Sequence, residues 1–102
     1  MRTYTTPTHH LEIEGVDLTD CNVYVTYRQG TSTITKQVEP VIVDGSTTLS
    51  VTFTQAETAT FGLGLVEVQV NWVYPNGARD ATEIEGVEML RNLLESELSY
   101  DE

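Results

Sequence analysis

Leu65-Val66-Glu67-Val68-Gln69-Val70-Asn71-Trp72-Val73-Tyr74-Pro75-Asn76-Gly77 alternates apolar and polar residues and then stops at a turn. Successive side chains of a strand point to opposite faces, so Val66, Val68, Val70, Trp72 and Tyr74 share one side and Glu67, Gln69 and Asn71 the other. The pattern predicts a half-buried strand from Leu65 to Tyr74. It enters a hairpin at Pro75-Asn76-Gly77, where asparagine and glycine tolerate the positive φ of tight turns. Trp72, on the inward face, is expected to anchor the core against Phe53 and Tyr27.

Weaker runs of the same kind extend the reading in both directions. His10-Leu11-Glu12-Ile13-Glu14 alternates before Gly15, with Leu11 and Ile13 inward. Cys21 to Arg28 places Cys21, Val23, Val25 and Tyr27 on one face. Ser32 to Val38 is rich in β-branched residues and pairs back across Gln29-Gly30-Thr31. Val41-Ile42-Val43, the turn pair Asp44-Gly45 and Thr48 to Phe53 form a second hairpin, with Leu49, Val51 and Phe53 inward. Thr54-Gln55-Ala56-Glu57 matches a capping box and opens a single helical turn that crosses between sheets. Arg79 to Ile84 returns beside the long strand. Beyond Gly86, Val87, Leu90, Leu94 and Leu98 follow a three-or-four spacing that predicts a short amphipathic helix over 87–98. A strand continuing through Met89 is the rival, since Val87 and Met89 also fit a period of two.

About seven short strands with frequent turns and no strand–helix alternation predict a mainly β chain. The expected architecture is an antiparallel immunoglobulin-like β-sandwich with a short C-terminal helix, a small open barrel being the alternative. The expected divisions are a polar arm over 1–8, the sandwich over 9–86, the helix over 87–98 and an acidic tail over 99–102. The Cys…Trp…Cys pattern of antibody domains is absent.

A chain of 102 residues that is 39% hydrophobic is long enough for one core and short for two. Sixteen acidic residues against five basic ones give a formal net charge of -11, which repels nucleic-acid phosphates and anionic membranes. The expectation is no direct nucleic-acid or membrane contact, with a basic protein surface as a possible counterpart. No run reaches transmembrane length and Met1 to Thr8 lacks the apolar core of a signal peptide, so a cytoplasmic origin is expected. Cys21, alone of its kind, reads as a small buried hydrophobe.

Chemistry-bearing constellations are sparse. His9-His10 with Glu12 and Glu14 is the one cluster with metal-ligand character, and adjacent histidines near a chain end are more often solvated, so no metal is assigned. Glu83 and Glu85 are paired acids without the cleft that sugar hydrolysis needs. Gly62-Leu63-Gly64 is a flexible entry into a strand and not a phosphate loop. No catalytic residue and no cofactor follow from the sequence, and the expectation is a protein without enzymatic activity. Interface residues are sought in Tyr4 and Tyr24, whose side chains join apolar area to a polar tip, and in the stripe Leu90, Leu94 and Leu98.

The segment from Asn71 to Arg79, with Leu49-Ser50-Val51-Thr52-Phe53-Thr54-Gln55-Ala56-Glu57-Thr58 upstream and Arg91-Asn92-Leu93-Leu94 downstream, resembles small β-sandwich proteins of tailed phages and prophages of Firmicutes. These share the order strand, T-Q-x-E-T, V-x-Q-V-x-W strand, N-G-x-R. More distantly, the pattern is similar to the immunoglobulin-like N-terminal domain of phage baseplate upper proteins. The resemblance spans about residues 20 to 95 and implies a non-enzymatic virion component of capsid, connector or tail, assembled in the bacterial cytoplasm. It would contact other phage structural proteins or copies of itself. A different expectation comes from the acids Glu83, Glu85, Glu88, Glu95, Glu97, Asp101 and Glu102 near the C-terminal end: an inhibitor of a bacterial defence nuclease that mimics nucleic acid.

Overall fold

The structure, a computed structural model, describes residues 1–90. It is mainly β, with antiparallel sheets and one short helix. β1 (Thr8–Ile13) leads through a loop to β2 (Asn22–Gln29), which turns at Gly30-Thr31 into β3 (Ser32–Val38). β4 (Val41–Val43) and β5 (Ser46–Thr52) are joined by Asp44 and Gly45 at φ 51° and 75°. Two consecutive left-handed residues give the tight connection whose twist matches that of the flanking strands. In α1 (Gln55–Thr60), the Thr54 hydroxyl accepts from Glu57 N at 3.1 Å while a Glu57 carboxylate oxygen accepts from Thr54 N at 2.8 Å. The expected capping box is therefore present. β6 (Gly64–Val73) is the long alternating strand. Asn76 closes the turn after it, accepting from Ala78 N at 2.9 Å, and β7 (Arg79–Ala81) and β8 (Glu85–Met89) follow.

One sheet runs β1-β5-β4; the other runs β3-β2-β6, with β7 and β8 both paired to β6. β2 covers one edge of β6 from Glu67 to Val73, so β7 (against Asn71–Val73) and β8 (against Gly64–Val68) share the opposite edge. Between them Thr82 keeps contact with β6, its N–H donating to Val70 O at 2.9 Å and its hydroxyl accepting from Val70 N at 3.0 Å. Residues 79–89 thus act as one edge strand broken at Thr82-Glu83-Ile84. α1 carries the chain from the smaller sheet to the larger.

Apolar faces of both sheets feed one core. Val23, Val25 and Tyr27 of β2, Leu49 and Val51 of β5, and Val66, Val68, Val70 and Trp72 of β6 are all buried, with Phe53 and Phe61 flanking α1. Each such side chain contributes roughly 1.5–3 kcal/mol on burial. Cys21 is buried as expected. Thr47 and Thr58 are fully buried in the core because their hydroxyls are satisfied on both the donor and the acceptor side. The Thr47 hydroxyl donates to Val16 O at 2.7 Å and accepts from Leu18 N at 3.1 Å. The Thr58 hydroxyl donates to Thr5 O at 2.9 Å and accepts from Thr5 N at 3.0 Å.

Three expectations need correction. The helix expected from Val87 is a strand over Glu85–Met89: Val66 pairs with Val87 and Gly64 with Met89, which turns both side chains inward. The period of two wins because β6 offers a free edge there. The remainder of the expected helix, with Leu94 and Leu98, and the tail over 99–102 lie outside the described residues. Trp72 is buried, but its cross-strand neighbour is Val23, whereas Tyr27 pairs with Val68 further along the sheet and stacks edge-on against Phe53 at 4.8 Å. The polar arm over 1–8 is anchored, because Arg2 bridges Leu90 in parallel, Thr3 N donates to Leu90 O at 3.1 Å and Phe53 N donates to Pro7 O at 3.1 Å. Thr8 already belongs to β1.

Candidate interaction surface

Because β6 alternates, its polar side chains stand on the outward face of the larger sheet. Register places Tyr24 between Gln37 and Asn71, Thr26 between Thr35 and Gln69, and Arg28 between Thr33 and Glu67. The Arg28 guanidinium lies 3.4 Å from the Glu67 carboxylate with both side chains well exposed, so the pair contributes no more than about 1 kcal/mol. Leu65 and Ile84 stand free on this side at 65% and 57% exposure, with a depression of about 140 Å³ between Thr26, Arg28, Glu67, Gln69 and Ile84. Gly86 makes room for Leu65: a Cβ at that glycine would come within 2.6 Å of the leucine side chain.

The second feature is a seam between the sheets. Among the described residues β1 pairs only with β5, and the β7–β8 edge pairs only with β6 apart from the Arg2–Leu90 bridge, so two strand edges lie side by side. A cleft of about 50 Å³ there is floored by Val68 and Val70, walled by Leu11 and Ile13, and rimmed by Glu12, Glu83 and Glu85. That volume holds a side chain and is far below the roughly 300–1,000 Å³ of a small-molecule site.

At the end of the seam a string of contacts runs through the core. His9 Nδ1 lies 2.7 Å from the Tyr27 hydroxyl, Tyr27 stacks on Phe53, and Lys36 Nζ sits 5.3 Å from the centre of the Phe53 ring. Lys36 also donates to a Glu57 carboxylate oxygen and to Thr52 O, each at 2.7 Å. Burial lowers the His9 pKa, helped by the N-terminal ammonium and then by His10, against a smaller opposing pull from Glu85. Burial raises that of Tyr27, so both groups are neutral near pH 7. Burial would push Glu57 up, but the bonds from Lys36 and Thr54 outweigh it and hold the carboxyl below its ordinary value. The cluster is structural: its polar atoms face one another.

The structure disperses the residues singled out in the sequence. Tyr4 is half-buried, in left-handed backbone at φ 56°, within the anchored N-terminal segment. Tyr24 is half-buried on the outward face of the larger sheet, opposite Asn71. Leu90, 39% exposed, follows Met89 and so lies at the other end of β6, where Gly64 pairs. Leu94 and Leu98 lie outside the described residues. Of the clustered acids, Glu83, Glu85 and Glu88 are exposed along the β7–β8 edge, and Glu95, Glu97, Asp101 and Glu102 lie outside the described residues. Strand alternation separates the histidines, with His9 turned inward to Tyr27 and His10 outward, 3.0 Å from the Ser50 hydroxyl. Among the described residues no three His, Cys, Asp or Glu side chains converge as a metal site would require. The exposed Leu65 and Ile84 and the seam walls Leu11 and Ile13 escaped the sequence as surface features. The signal available was that Leu65 falls in the polar register of β6.

No family model matches the chain, and neither a curated protein nor a solved structure matches it.

Proposed function

We propose that the chain is a non-enzymatic docking module, an immunoglobulin-like sandwich that serves as a structural component of a tailed-phage particle. The strand orders support the architecture: β1-β5-β4 corresponds to strands B-E-D and β3-β2-β6 with the β7–β8 edge to C′-C-F-G of such domains. The parallel bridge of Arg2 to Leu90 supplies a short first strand beside the last. The virion role draws on the sequence resemblance to phage proteins.

One observation carries the docking role. Most of the exposed large apolar side chains lie on strand edges and the outward sheet face: Val41 and Val43 on β4, Leu65 on β6 and Ile84 at the break of the last edge, with Leu63 in the loop before β6 and Leu90 just after β8. Such side chains beside unpaired ladder groups suit pairing with neighbouring subunits, and the shallow depressions suit no small substrate. Mass spectrometry of purified particles from the strain that carries the gene tests the role. The chain is expected in the particles at a symmetric copy number. Its absence from them, together with a salt-sensitive complex with a host nuclease, overturns the reading in favour of a nucleic-acid mimic.

A further inference from the structure

We propose that the seam between β1 and the β7–β8 edge accepts an extended, basic segment of a partner protein, which adds to β1 as a further strand. The inference rests on the docking-module reading and names its site and the chemistry of its ligand.

Four observations converge on it. β1 is a regular strand from Thr8 to Ile13 whose strand partner among the described residues is on its β5 side alone, so within them alternate backbone N–H and C=O groups along the other edge face an incoming chain. Facing it, the last edge is broken at Thr82-Glu83-Ile84, which opens the cleft above Val68 and Val70. The protein's own chain already uses this seam. The first residues pair with its last edge just beyond β8, with Arg2 bridged to Leu90, Thr3 N donating to Leu90 O at 3.1 Å and Leu90 N donating to Met1 O at 2.6 Å. The stretch beside Leu11 to Ile13 continues the same groove, and among the described residues none fills it.

The lining specifies the occupant. Apolar Leu11, Ile13, Val68 and Val70 call for an apolar side chain at every second position of the incoming strand. The rim holds Glu12, Glu83 and Glu85, and the lining includes neither lysine nor arginine, so the alternate positions favour cations. A second copy of this chain, with a net charge of -11, is repelled by the same rim.

A blocked peptide of about nine residues alternating valine and lysine tests the proposal by titration against the isotopically labelled full chain. Three controls accompany it: an isomer with the valines and lysines in separate blocks, and two versions N-methylated at the valine or at the lysine backbone amides. The alternating peptide is expected to shift the amide resonances of Leu11, Ile13, Thr82 and Glu85. It is expected to bind at least about ten-fold more tightly than the block isomer, and one of the two N-methylated versions, the one blocking the amides that face β1, is expected to lose binding. The double variant Glu83→Lys/Glu85→Lys, at exposed positions, is expected to lose about ten-fold in affinity with a melting temperature no lower than that of the wild type.

Equal binding by the block isomer, indifference to both N-methylations, shifts confined to the Tyr24 and Leu65 face, or no shift at millimolar peptide overturns the proposal. So does self-association of the wild type through β1. Incorporation of the double variant into particles at the wild-type level overturns the seam while leaving the docking role intact. Absence of the wild-type chain from particles overturns the virion role, and the peptide titration still decides the seam.

Discussion

His9 links the core to pH. Its ring is held against Tyr27 and burial sets its pKa below 6.5, so the unfolded chain takes up this proton more readily than the folded one. Stability is then full above the unfolded value near 6.5 and declines as pH falls below it, levelling out beneath the folded value. Glu57 acts lower on the scale. Its folded pKa lies below 4.5, so its contribution is present above that value and is lost as pH falls through the folded one. Denaturant titrations from about pH 7.5 to pH 3 are expected to show stability falling in two stages. His9→Gln, which preserves a polar partner for the Tyr27 hydroxyl, removes the upper stage, and Glu57→Gln diminishes the lower one, to which Asp17, held below its ordinary value by the bonds from Thr19, also contributes. An upper stage that persists unchanged in His9→Gln assigns it to another group and contradicts this account.

At the level of elements, α1 is only six residues long, too short to persist by helix propensity. It is held by the Thr54–Glu57 box and by Thr58, which also pins the N-terminal segment through Thr5. Thr54→Ala is expected to cost about 1 kcal/mol in denaturant unfolding. Thr58→Val, nearly equal in shape, strands the Thr5 N–H and is expected to cost about 1–3 kcal/mol. The signature that separates them is local: hydrogen exchange at Thr5 accelerates in Thr58→Val while β2 and β6 remain protected. Full protection at Thr5 would mean that other contacts hold the segment. Elements whose pattern is local were legible in the sequence. The alternation of β6, the Asp44-Gly45 turn and the capping box each sit within a few residues. Thr47 and Thr58 were not legible as core, because a threonine in a polar run reads as surface until its hydroxyl is seen to satisfy two backbone groups. Leu18 gave little signal, because only Val16 alternates with it in a loop run too short to carry a period. Val87 fits the helical spacing with Leu90 and the period of two with Met89, and the choice was made by the free edge of β6, some twenty residues earlier in the chain. The candidate site was legible only in its parts. The acids near Glu83 and the inward Leu11 and Ile13 could be read, but their meeting across a seam depends on which sheet each strand joins.

For the whole molecule the governing quantity is a net charge of -11. Ion pairs join Arg28 to Glu67 and Lys36 to Glu57, but sixteen acids against five bases leave carboxylates facing mostly others of their own sign. Folding concentrates those charges and the compact state bears the repulsion, which salt screens within a Debye length of about 10 Å at 0.1 M and about 3 Å at 1 M. Raising sodium chloride from about 0.02 M to 0.5 M is therefore expected to stabilise the protein, and each 1 kcal/mol gained raises the melting temperature of a chain this size by about 4–8 °C. The same screening weakens attraction between the acidic seam and a basic strand. Stability and peptide affinity must then move in opposite directions as salt is added, a combination that a general salting-out of apolar surface cannot produce, since that would strengthen both. Glu83→Lys/Glu85→Lys supplies the internal control. Each replacement adds two charges, so the net charge changes from -11 to about -7, which reduces the overall repulsion. The variant should melt higher than the wild type at low salt, show a shallower salt dependence of stability and lose most of the salt dependence of peptide binding. A melting temperature that stays flat or falls with salt in the wild type would show that the carboxylates are already too far apart to repel, and the electrostatic basis for a basic partner would go with it.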